Sequence, residues 1–150
     1  NVSEKYNFAY LRKKGFQKAL KKYSLKFDKS LYQTTSLEDP SYSKEITINL
    51  FKKNPDLNCI ICSTEYSSVG AIQACVELNK KIGEDISIIT FDGPVVESLT
   101  NPKLTAVSHP LEELGTNAIN ILLGTQKKNQ LSNYLVKPRI IERGSVKSLI

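Results

Sequence analysis

The sequence predicts an α/β fold, a parallel sheet with helices on both faces. Three observations predict it. Residues 58–62 and 86–91 are apolar almost throughout, as strands buried on both faces require. Longer stretches between them repeat apolar residues at helical spacing. The two kinds of segment alternate, which is the pattern of βαβ units. At 150 residues the chain is one ordinary domain or a large part of one.

The first helix covers about residues 7–23, where Phe8, Leu11, Phe16, Ala19, Leu20 and Tyr23 recur between basic residues. Ser24-Leu25-Lys26-Phe27-Asp28 alternates in polarity and predicts a short strand. Pro40 and Ser41 suit a helix start, with Ile46, Leu50 and Phe51 facing inward and Asn54-Pro55 as the stop. After the strand at 58–62, Thr64 opens a third helix, with Val69, Ile72, Ala74, Cys75, Val76 and Leu78 on its apolar side and Gly83 at its end. Residues 86–91 and 104–108 are further strands. Pro110 begins a helix whose inner side is Leu111, Leu114, Ala118, Ile121 and Leu122, closed by Gly124. A polar tract, 126–133, then leads to a last strand over about 134–142.

Composition excludes several classes. Hydrophobic residues make up 40% and charged residues 24%, the balance of a globular chain. No apolar run reaches the roughly 18–20 residues that a bilayer span needs. The net charge is +6, with 21 Lys and Arg against 15 Asp and Glu. Much of the excess lies in Arg12-Lys13-Lys14, Lys18, Lys21-Lys22, Lys26 and Lys29. A face of this kind can meet phosphates. No aromatic stacking pattern or nucleic-acid motif accompanies it, so a solvated lysine-rich face is the preferred reading.

Cys59-Ile60-Ile61-Cys62 resembles a C-x-x-C pair only superficially. On a strand, residues three apart point to opposite faces, so the pair neither bridges nor chelates. These two and Cys75 read as small buried hydrophobes in a reducing compartment. His109 is the single histidine, and HExxH, GxSxG and metal-ligand clusters are all absent. So are the glycine-rich cradles for nucleotide phosphates. No catalytic residue, cofactor or metal is expected.

Ligands of open α/β sheets bind beyond the carboxyl ends of the strands. Two polar sets occupy such ends, Ser63-Thr64-Glu65 and Asp92-Gly93. An aspartate there can accept hydrogen bonds from paired hydroxyls, as a sugar offers. Asp92-Gly93-Pro94 is also a good turn sequence, and the residues alone leave both readings open.

Four runs bring a family into view. Gly83-Glu84-Asp85-Ile86-Ser87-Ile88-Ile89-Thr90-Phe91-Asp92-Gly93 is similar to "G-x-D-I-S-V-I-G-F-D-D". Leu104-Thr105-Ala106-Val107-Ser108-His109-Pro110, followed by Leu114-Gly115 and Ala118, is similar to "L-T-T-V-x-Q-P … L-G … A". Arg12-Lys13-Lys14-Gly15-Phe16-Gln17-Lys18-Ala19-Leu20 matches "R-x-x-G-F-x-x-A-L", and Pro138-Arg139-Ile140-Ile141-Glu142-Arg143 resembles "P-x-x-L-V-x-R". Their order and spacing hold over nearly the whole chain. The chain resembles the effector-binding core of the LacI/GalR family of bacterial transcriptional repressors.

The resemblance implies a periplasmic-binding-protein-like fold of two α/β lobes around an effector cleft. This chain would be the C-terminal part, without most of the N-terminal lobe or the helix-turn-helix domain through which such proteins bind DNA. Residues 1–107 would form the C-terminal lobe, 108–133 would cross to the other lobe, and 134–150 would return as a strand and tail. The implied partners are a small effector, most often a sugar, and a second copy in a homodimer, with a cytoplasmic location and no membrane. Arg12 and Asp92 fall on effector-contacting positions. Thr64-Glu65 replaces the usual Asn-Asp pair, which makes Thr64 a weaker candidate. Tyr42 falls near an aromatic pocket position, while Gly93 and His109 replace a second Asp and a Gln. The alternative from another class is an extracellular sugar-binding protein of a transporter, which shares the fold.

Overall fold

The computed structural model describes residues 2–35, 39–91, 100–124 and 135–148. Its helices are α1 (Asn7–Lys22), α2 (Pro40–Lys53), α3 (Glu65–Glu77) and α4 (Leu111–Leu122), with a 3-10 turn at Lys29–Leu31. The strands are β1 (Cys59–Ile61), β2 (Ser87–Phe91), β3 (Thr105–Ser108) and β4 (Arg139–Ile141). They form one sheet in the order β1-β2-β3-β4. β1, β2 and β3 run parallel, with Ile61 opposite Ile89 and Phe91 opposite Val107. The sheet is α/β and mostly parallel, as the alternation of segments predicts.

β4 departs from that rule and pairs antiparallel with β3, Ser108 opposite Arg139. A parallel return would need a helix lying back across the sheet. α4 carries no buried residue, so it does not serve as that crossover. The chain comes back to the end of β3 it left from, and antiparallel pairing follows. The strand is also shorter than the sequence suggests, three residues instead of about nine.

Local chemistry explains where the helices begin and end. Asp39 caps α2 by accepting from the Ser41 N–H at 2.8 Å, and Pro40 occupies the first turn, where a missing N–H costs nothing. α3 ends at a left-handed Asn79 (φ 52°), with the Lys80 N–H returning to the Cys75 carbonyl at 2.8 Å. The helix therefore stops before Gly83, the end expected from sequence. Gly83 instead makes the turn into β2 at φ 86°, where an added Cβ would lie 2.3 Å from the Gly144 carbonyl.

The strand expected at 24–28 does not form. Ser24 adopts a left-handed φ of 57°, and the Leu25 N–H bonds to the Leu20 carbonyl at 2.9 Å, closing α1. Leu25 is thereby committed to the helix end, and β1 remains an edge strand. Cys59 on that edge is exposed, against the expectation that every cysteine is buried, whereas Cys62 and Cys75 are buried. All three thiols are free, as the strand spacing requires of Cys59 and Cys62.

The core is Phe51, Cys62, Ala71, Cys75, Ile86, Ile88 and Leu104, with Ile60, Val69 and Ile72 packed against it. α2 lies tightly along α3. A Cβ on Gly70 would come within 2.4 Å of the Pro40 carbonyl oxygen, so only glycine admits this approach. The apolar stripes expected to face inward on α1 and α4 are largely open: Ala9 is the only buried residue of α1. Leu111, Leu114 and Leu122 of α4 are exposed. Neither helix has enough surface facing it among the described elements to cover its stripe.

Residues 143–147 are tied to the sheet by several hydrogen bonds, with the buried Ser145 at their centre. Ser145 Oγ donates to the Ile88 carbonyl at 2.6 Å and accepts from the Thr105 N–H at 2.7 Å. Its own carbonyl accepts from the Ile88 N–H at 2.9 Å.

Replacing Ser145 by Ala strands two buried backbone groups and is expected to cost about 1–3 kcal/mol in chemical denaturation. Gly70→Ala is expected to destabilise by a similar ~1–3 kcal/mol through overpacking, despite alanine's better helix propensity. Burial pushes the Cys62 thiol up to about 12 and Cys75 up to about 11 from an ordinary 9.0. Between about 9 and 11 the unfolded chain would release these protons while the native chain keeps them. Stability is therefore full below pH 9 and should fall above it, by up to about 1.4 kcal/mol per pH unit for each thiol, in denaturation curves taken across that range.

Candidate functional site

Parallel strands in register end at the same side of a sheet. β1 stops at Ile61 and runs into Cys62-Ser63-Thr64, and β2 stops at Phe91, one residue before Asp92. α1 brings Arg12 to this place. The Arg12 side chain donates from Nη1 to the Ser63 carbonyl, 51 residues away in sequence. Its guanidinium lies over the Phe91 ring at 4.2 Å from the centroid, and Phe8, one helical turn earlier, stands 5.0 Å away. A planar cation against two rings is held in orientation as well as in position.

The basic residues beside Arg12 behave differently. Lys13 pairs with Glu4 at 2.6 Å and lies over Tyr32. The hydrogen bond that Lys13 donates to the Glu4 carboxylate holds its pKa above the usual lysine range. Lys14 and Lys22 lie over Tyr10 and Tyr23. These are local surface pairings. Among the described residues, Arg12 is the member of this run whose contacts reach the strand ends.

Thr64 is the N-cap of α3. Its Oγ1 accepts from the Ser67 N–H at 3.2 Å and donates to Ser67 Oγ at 3.0 Å. The Ser67 hydroxyl takes the Thr64 N–H at 3.1 Å and donates to the Thr64 carbonyl at 2.8 Å, completing a reciprocal capping box. The proton and one lone pair of the Thr64 hydroxyl are thus spent on the helix. Beneath it Ser68 Oγ bonds Thr90 Oγ1 at 2.5 Å, joining α3 to β2. The buried Ser63 Oγ has no hydrogen-bond partner among the described residues.

Of the four residues singled out from sequence, the structure brings Arg12 to the backbone next to Thr64. Asp92 lies outside the described residues, as does Gly93. Tyr42 is exposed near the start of α2, whose Pro40 and Ser43 abut Gly70, more than a turn along α3 from Thr64. Phe8 and Phe91 were not singled out. Their signals were Phe8's spacing of four before Arg12, which shares a helix face, and Phe91's position just before Asp92. Among the described residues no cluster of His, Cys, Asp or Glu could hold a metal ion, and no helix is long and apolar enough to cross a membrane.

A family model for the periplasmic binding protein-like domain matches residues 2–146. The chain belongs to this family. The HTH-type transcriptional repressor PurR of Haemophilus influenzae is 31% identical to it over 147 residues, covering 95% of this chain and 44% of that protein. The HTH-type transcriptional regulator RegA of Clostridium saccharobutylicum is 28% identical over 133 residues, 87% of this chain and 40% of its own length. A crystal structure of a LacI family transcriptional regulator from Arthrobacter, in complex with lactose, matches with a TM-score of 0.64 at 23% identity. That match covers 73% of this chain and 43% of the other, and it speaks for the fold. This periplasmic-binding-protein-like chain therefore spans about two fifths of the length of the curated relatives it matches. Those relatives are transcriptional regulators, and the LacI/GalR resemblance read from the four sequence runs holds.

Thr64→Ala removes the cap and is expected to lower stability by about 1 kcal/mol, while Thr64→Ser retains most of it. Thermal unfolding of both variants measures the difference.

Proposed function

We propose that this chain is the effector-sensing and dimerising core of a LacI-type DNA-binding transcriptional regulator, a cytoplasmic protein rather than an enzyme. Arg12 carries this reading. Its guanidinium leaves α1 for the end of β1 and rests on the ring that precedes Asp92. A cation held at the strand ends and a carboxylate that follows Phe91 in sequence would suit a polyhydroxyl ligand, the cation donating in pairs and the carboxylate accepting from neighbouring hydroxyls. Lactose in the Arthrobacter regulator makes a sugar the first class to try. Thr64 would border the ligand at the N-terminus of α3, and Tyr42 would supply a rim aromatic.

In this reading residues 1–107 are one lobe, 108–133 cross to a second, and 134–150 return. Two features support the division: α4 has an apolar stripe with nothing buried, and Arg139–Ile141 pairs back onto β3. An effector that prefers one arrangement of the lobes shifts the population of dimer geometries. DNA-reading domains outside this chain would then change their spacing on the operator.

Calorimetric titration of the complete protein that carries this chain, against lactose, maltose, galactose and ribose, tests the proposal. Asp92→Ala and Arg12→Lys are each expected to weaken sugar binding by about tenfold or more, because each removes paired, charge-assisted hydrogen bonds. Affinity unchanged by both substitutions would refute the assigned site.

A further inference from the structure

We infer that Phe91, seconded by Phe8, is a positioning residue that sets the orientation of Arg12 for the effector; the inference rests on the effector reading above. Arginine has a long side chain with several rotatable bonds, and a free one samples many orientations. Here contacts from separate parts of the chain converge on it, three of them among the described residues. Phe91 of β2 lies 4.2 Å from the guanidinium carbon, Phe8 of α1 lies 5.0 Å away, and the Ser63 carbonyl after β1 takes an Nη1 proton. Ring faces fix the plane of a guanidinium through its charge and flat shape. The carbonyl then fixes rotation within that plane. Together they restrict how the cation can turn, and bidentate recognition depends on the edge it presents.

The rings act through Arg12 and are not offered as ligand contacts. The effect should follow the aromatic character of residue 91, not its bulk. Leucine at 91 keeps an apolar side chain and removes the ring face, whereas tyrosine keeps the face.

Two measurements on the complete protein test this. The first is the rate at which phenylglyoxal modifies Arg12, read by peptide mass spectrometry without ligand, with the exposed Arg139 as internal standard. Phe91→Leu should raise the Arg12 rate about threefold relative to Arg139, Phe8→Leu should raise it less, and Phe91→Tyr should restore the slow rate. The second is titration with any sugar of the panel that binds the unaltered protein. Phe91→Leu should weaken it about tenfold and Phe91→Tyr should recover it. Melting temperatures identify a variant that has merely lost its fold, and Phe91→Tyr then decides.

An Arg12 rate that Phe91→Leu leaves unchanged overturns the clamp. A faster rate with equal sugar affinity overturns its role in binding. A panel silent towards the unaltered protein instead removes the effector reading, and with it the role in binding, while the modification rates still report on the clamp.

Discussion

The parallel pairing of β1 with β2 is the constraint from which the rest follows. Parallel strands in register end together, and each must hand its chain on at the same side of the sheet. That side receives Ser63 and Thr64 from one strand and Phe91 from the next. Past the Cys62 N–H, which still bonds the Ile89 carbonyl, the backbone leaving β1 takes partners other than a strand. A helix N-terminus, a capping box and an arginine take up that role. The Arg12 contact with the Ser63 carbonyl is one such solution, and it turns a strand end into a chemical site.

Beneath this rim the structure is held by small, close contacts more than by large side chains. Gly70 admits α2 against α3, Ser145 joins the chain end to β2 and β3, and Ser68 with Thr90 joins α3 to β2. Buried hydroxyls of this sort are tolerable because each has its partner. Among the described residues Ser63 Oγ is an exception, as is Ser43 Oγ of α2. The one at Ser63 adjoins the carbonyl that Arg12 grips.

The surface tells a complementary story. α1, α4 and β4 carry apolar side chains that the described residues leave open, including Leu11, Leu122 and Ile140. Periodicity identified these helices correctly, because amphipathic spacing is a property of the helix alone. What covers a stripe is a property of its neighbours. The inward sides predicted for α1 and α4 were therefore legible as stripes and not as buried surfaces.

The sequence by itself determined the α/β class, the sites of the four described helices and the four described strands, and the places where strands end in polar residues, because periodicity, capping residues and apolar runs are local. It also marked Arg12, through the spacing of a family motif. Tertiary structure decided what needed two distant segments at once. One local choice also escaped the polarity pattern: Leu25 went to a helix end and not a strand, its N–H closing on the Leu20 carbonyl behind a left-handed Ser24. Asn79 replaced Gly83 as the stop of α3 because a left-handed residue fitted there first. β4 ran antiparallel because α4 did not recross the sheet. The Ser63 carbonyl and the Phe91 ring came to hold Arg12 because only folding sets a helix side chain against residues 51 and 79 positions further along the chain.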